Sequence, residues 1–141
     1  MKQVPAVRPI VESFSVADFK KLLVWQKAHA LAVNASIVSG RLRGPAHSSL
    51  RSQLVRAAMS IDANISEGRS RPTQREFVRY LNIAISSASE VESHILMARD
   101  TRALSDADSQ ILMEQVVEVR RMLYGLTKHI QNTLNQKKSD S

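Results

Sequence analysis

The 141-residue chain contains no cysteine. Disulfide scaffolds, thiolate metal sites and cysteine nucleophiles are therefore excluded, and a reducing cytoplasm is the simplest compartment. Glycine and proline are scarce, with four of each. Only three Phe, two Tyr and one Trp are present. Sandwiches and barrels draw on aromatic and β-branched residues with glycine-rich turns, so an all-β fold is disfavoured. No apolar run approaches the roughly 18 residues of a membrane span. The opening MKQVPAVRPIVESFS lacks the unbroken apolar stretch of about 7–15 residues that marks a signal peptide. There is no internal repeat and no low-complexity block. Phosphate-cradling G-x-x-x-x-G-K-[ST] and G-x-G-x-x-G loops are missing, as are G-x-S-x-G and H-E-x-x-H. A di-iron bundle would need Glu-x-x-His pairs. Glu90 and His94 are four apart, so that pattern fails, and His29, His47 and His129 stand alone. The expectation is a protein that is not an enzyme and has no metal and no cofactor.

What is present favours helix. Hydrophobic residues make up 43%, enough to exclude a disordered polyampholyte, and the length suits one domain. Pro5 and Pro9 favour an extended N-terminal arm over residues 1–18. Residues 135–141 read as a polar tail, leaving 19–134 as the folded unit. Within it four segments carry apolar stripes that alternate steps of three and four. Val24, Ala28, Leu31, Ala35, Val38 and Leu42 define the first, closed by Gly40, Gly44 and Pro45. Ser48 is placed to cap the second, which continues through Leu50, Leu54, Ala57, Ile61 and Asn64 and ends at Gly68. Thr73-Gln74-Arg75-Glu76 is a capping box for the third, lined by Phe77, Leu81, Ala84, Ala88, Val91, Ile95 and Ala98. The fourth starts near Ser105, with Asp106 and Asp108 in its first turn, and is lined by Leu112, Val116, Val119, Leu123, Leu126 and Ile130. A mean period of 3.5 and short connections predict an all-α, antiparallel up-down-up-down four-helix bundle. Val55, Met59, Val78, Ile85, Val117 and Met122 fall off these stripes. A second apolar face predicts a partner subunit, hence a homo-oligomer.

Three segments resemble a known bacterial family, the 23S rRNA intervening-sequence proteins. Phe19-Lys20-Lys21-Leu22-Leu23-Val24-Trp25-Gln26-Lys27-Ala28 is similar to its opening F-x-x-L-x-V-W-Q-x-A. Ala57 to Gly68 resembles A-A-x-S-I-x-x-N-I-A-E-G, and Phe77 to Glu90 resembles F-x-x-x-L-x-I-A-x-G-S-x-x-E. Departures are Lys21 where Asp is common, Val55 where Arg is common, Ser66 for Ala and Ser86 for Gly. The resemblance implies a four-helix bundle assembling as a homopentameric barrel, and no enzyme. A branch similar in fold, the accessory variability proteins of diversity-generating retroelements, binds a reverse transcriptase and its template RNA. That makes a reverse transcriptase a candidate partner.

The charge carries the strongest functional signal. Twenty Lys and Arg against 13 Asp and Glu give +7, which points to a polyanionic partner. Arg41, Arg43, Arg51, Arg56, Arg69, Arg71, Arg75 and Arg79 face only Asp62, Glu67 and Glu76 in the same stretch. Arginine suits bidentate contact with phosphate. Arg69, Arg71, Arg75, Arg79, Arg51 and Arg56 are thus the candidate nucleic-acid contacts, the ordinary alternative being a solvated face. Asn64 lies on an apolar stripe and is expected to make a structural hydrogen bond, with Ser87 or Glu90 as candidate partners and Glu67 nearby. Trp25 and Tyr80 read as core or interface rather than as base-stacking platforms. Two readings follow. One is an RNA-binding adaptor, which salt-dependent binding would identify. The other is a structural oligomer that meets an acidic protein and no nucleic acid.

Overall fold

The computed structural model describes residues 22–42 and 45–140. The arm over 1–18, the start of the first family motif and Arg43 lie outside the described residues. The chain forms α1 (Leu23–Ser39), α2 (Ser48–Arg69), α3 (Gln74–Asp100) and α4 (Asp106–Ser139), with a short 3-10 turn at Pro45–His47 before α2. No strand occurs among the described residues. Each helix packs on two others, α1 on α2 and α4, and α3 on α2 and α4. The result is a four-helix bundle around one continuous apolar core.

The helix starts follow from capping chemistry at two of the four positions. Thr73 Oγ1 accepts from the Glu76 amide at 3.2 Å and donates to the Glu76 carboxylate at 3.1 Å. Ser105 accepts likewise from the Asp108 amide at 3.1 Å. Ser48, expected to cap α2, is instead its first residue. His47 occupies the cap with no side-chain bond, because the 3-10 turn leads straight into the helix. The α1 stripe also outlasts its helix: α1 stops at Ser39, and Leu42 is buried in the connection that follows. α4 runs on through Ser139, past the point where composition reads as tail. Nothing in Gln-Lys-Lys-Ser breaks a helix, and Leu134 still packs on the core.

The apolar positions of the stripes lie inside except at Leu50 and Leu126, which are half-buried, with Thr127 rather than Leu126 buried on α4. Leu31, Leu54, Ile61, Leu81, Leu112 and Leu123 are fully buried. Val78 and Ile85, expected to face a partner, are buried in the chain's own core. α3 packs on both α2 and α4, so its apolar face is wider than one heptad seam. Of the other off-stripe residues, Met59 is exposed, and Val55, Val117 and Met122 are half-buried.

Gly68 has a different role from the helix terminator it resembles. It is buried one residue before the end of α2, and a Cβ there would lie 2.6 Å from Tyr80 Cβ and 2.9 Å from Phe77 Cδ1. Its lack of a side chain lets α2 and α3 approach closely at their shared turn. The opposite end is held by charge. Arg41, just after α1, donates to both carboxylate oxygens of Asp108 at 3.0 and 3.1 Å. Arg120 makes a similar paired contact with Glu92 at 2.9 and 3.2 Å.

Candidate nucleic-acid interface

The main concentration of positive charge surrounds the α2–α3 turn. Arg69 is the last residue of α2, and its guanidinium lies 5.9 Å from the Phe77 ring centre. Arg71, in the turn, sits 5.9 Å over Tyr80 and pairs with Glu67 at 3.0 Å. Arg75 and Arg79 occupy the first two turns of α3, four residues apart and exposed, so they share one helix face. Gly68, Arg69, Arg71, Pro72, Thr73, Gln74 and Phe77 enclose a shallow depression of about 320 Å³ beside them. The local balance is moderated by Glu67 and Glu76, the second of which already complements the dipole of α3.

The other arginines of the stretch do not join this patch. Arg41 is bound to Asp108. Arg51 is half-buried and donates through Nη1 to the Leu42 carbonyl, tying α2 to the end of the preceding connection. Spacing cannot reveal that use, because the acceptor is a backbone group left open by the early end of α1. Arg56 is exposed on α2, 13 residues before Arg69.

The polar cluster at Asn64 is arranged differently from the expectation. Asn64 is half-buried, and its amide donates within α2, to the Ser60 carbonyl at 2.7 Å and to Ser60 Oγ at 3.0 Å. Ser60 then meets Ser87 of α3 at 2.8 Å. The hydroxyl pair, rather than Asn64 itself, crosses the seam. Glu90 is exposed and Glu67 is occupied with Arg71. On α1, His29 Nδ1 lies 2.9 Å from Asp62 of α2, and the Trp25 ring stacks on His29 at 4.9 Å and 14°. Trp25 packs partly on the core, and His29 already takes a face of its ring. Among the described residues no three His, Asp or Glu side chains gather as metal donors, and no helix is long and apolar enough to cross a membrane.

No curated protein matches the chain. A solved structure from Bacteroides thetaiotaomicron, described as a protein of unknown function from the S23 ribosomal protein family, is similar in fold. Its TM-score is 0.71 at 23% identity, over 75% of this chain and 99% of that one. The family model of the 23S rRNA-intervening sequence protein matches residues 20–125, from the start of the bundle to the middle of α4. With three quarters of its length matched and the four-helix bundle in place, the chain belongs to the 23S rRNA-intervening sequence protein family.

Proposed function

We propose that this chain is a non-enzymatic cytoplasmic adaptor: an up-down-up-down bundle, assembled as a homopentameric ring, that binds RNA through the arginines of its α2–α3 turn. Contacts between helices support the alternating direction. His29 meets Asp62 while Leu42 meets Arg51, Ser60 meets Ser87 while Gly68 lies against Tyr80, and Lys27 meets Glu118 while Arg41 meets Asp108, so numbers rise along one partner as they fall along the other. Exposed apolar side chains support assembly. Ile37 and Met59, the latter 55% exposed, line a groove between α1 and α2 with Ala32 and Val33, a surface that a neighbouring subunit would cover. A reverse transcriptase as further partner belongs to this reading and rests on the motif resemblance.

The observation that carries the RNA reading is the pair Arg75 and Arg79, exposed on one face of α3 beside the turn that holds Arg69 and Arg71. Around a ring this patch repeats as a basic belt, and phosphate contacts of that kind release counterions. The test is Arg75→Glu/Arg79→Glu. The expected variant keeps its helicity and its oligomer mass by light scattering. It binds RNA more weakly, and its plot of log affinity against log salt flattens by about 0.7–0.9 for each phosphate no longer neutralised. RNA binding equal to that of the parent across a salt titration refutes the reading. The alternative, an acidic protein partner, would then gain ground.

A further inference from the structure

The charges of α4 are divided along its length. Residues 106–118 hold Asp106, Asp108, Glu114 and Glu118 and no Lys or Arg. Residues 119–139 hold Arg120, Arg121, Lys128, Lys137 and Lys138 and no Asp or Glu. The helix dipole accounts for the ends of this pattern, since its effect fades within the first and last turns. It does not account for Arg121 and Lys128, which lie several turns inside. Arg120 is occupied by Glu92, whereas Arg121 and Lys128 are exposed.

Between them lies Gly125. A Cβ built there meets nothing within 4 Å. Glycine inside a helix is less stable than alanine, and no packing in the bundle requires it at this point. Its effect is to leave a bare stretch of backbone with Arg121 one turn before and Lys128 one turn after, roughly 10 Å apart along the axis at 1.5 Å per residue. Tyr124 stands beside the gap and is 54% exposed. The exposed amides Gln131, Asn132 and Asn135 continue the same side of the helix. The opposite side is anchored by Leu123 and Ile130, both buried. The family match ends at Gly125, and α4 continues to Ser139.

We propose that this outer face of α4 is a track for single-stranded RNA. In it Arg121 and Lys128 hold successive parts of the phosphate backbone, Gly125 admits the strand close to the helix, and Tyr124 offers a ring on which a base stacks. The inference rests on the RNA-binding reading above and adds a second element to it. Two cations two turns apart, with no acid between them, suit a repeating anion better than an isolated phosphate. The open tyrosine face favours a strand with accessible bases over a duplex. A second copy of this chain using the same face would set Arg121 and Lys128 against like charges.

The experiment uses the full chain and a labelled poly(U) oligoribonucleotide, followed by fluorescence anisotropy across a salt series. Gly125→Ala should raise the melting temperature and weaken binding, two effects of opposite sense. Tyr124→Ala should weaken binding by about 5- to 150-fold. Arg121→Gln/Lys128→Gln should flatten the salt slope by about 1.4. If all three variants bind like the parent while Arg75→Glu/Arg79→Glu loses affinity, the α4 track is overturned and the turn patch stands. A parent that binds no RNA overturns both. A Gly125→Ala variant with altered oligomer mass and unaltered RNA affinity makes Gly125 a subunit contact and refutes the track. Tighter binding of a duplex of equal length refutes the single-strand assignment.

Discussion

Replacing Gly68 by alanine adds one methyl group at the tightest approach between α2 and α3. Two effects oppose each other. Alanine is the better helix former by about 1 kcal/mol. Its Cβ, however, would sit 2.6 Å from Tyr80 Cβ, 2.9 Å from Phe77 Cδ1 and 3.3 Å from the Phe77 carbonyl oxygen, where carbon atoms prefer about 3.5–4.0 Å. Tyr80 Cβ is fixed to the α3 backbone and cannot rotate away, and Phe77 is itself buried. Relief therefore requires the helices to part by nearly an ångström at their turn. Overpacking of this kind costs about 1–3 kcal/mol, and rigid neighbours put Gly68 at the upper end. The net expectation is a loss of about 2 kcal/mol. At about 4 °C per kcal/mol for a chain of this size, the melting temperature should fall by about 8 °C. Thermal unfolding followed by far-ultraviolet circular dichroism measures it. Gly125→Ala is the internal control: the same chemical change on an open face should raise stability by about 0.5–1 kcal/mol. Equal signs for the two substitutions would refute the packing argument.

Two further substitutions test the ends of the helices. Arg41→Ala leaves Asp108, only 7% exposed, without its paired donor. It should cost about 2 kcal/mol in chemical denaturation, and a double-mutant cycle with Asp108→Ala should return a coupling above about 1 kcal/mol; simple additivity would contradict this. Arg102 holds a positive φ of 59° in the α3–α4 turn, where Ala103 and Leu104 donate back to the Ala98 carbonyl. Glycine occupies that conformation without strain, so Arg102→Gly should raise stability by about 0.5–1 kcal/mol, and a lowered melting temperature would count against it.

The parts of the fold legible in the sequence are those governed by local rules. The Thr73 cap needs only three residues of spacing, and the α3 stripe declares itself through seven buried apolar positions. What the sequence hides depends on partners distant along the chain. Gly68 looks like a helix stop until Tyr80 is placed against it. Val78 and Ile85 look surplus until α3 is seen to serve two neighbouring helices. Arg51 looks available for phosphate until the Leu42 carbonyl claims it. In the candidate site, the turn arginines are legible because they crowd a short stretch. The charge division of α4 is equally visible in the residues, but a search for the densest cluster passes over cations spaced along a helix.

The order of contacts has a consequence for synthesis. α1, α2 and α3 can pair as each emerges, since each packs on its successor. α4 comes last and supplies Leu112, Val116, Val119 and Leu123, all fully or almost fully buried. At translation rates of about 5–20 residues per second, its 34 residues take about 2–7 s to appear. Helices form in microseconds or less. For those seconds the nascent chain is a three-helix unit whose α1 and α3 faces, later covered by α4, stand open to water and to other chains. While α4 is being made the growing chain therefore carries a ready-made apolar cleft, and the arrival of α4 both fills that cleft and removes a surface on which chains could aggregate.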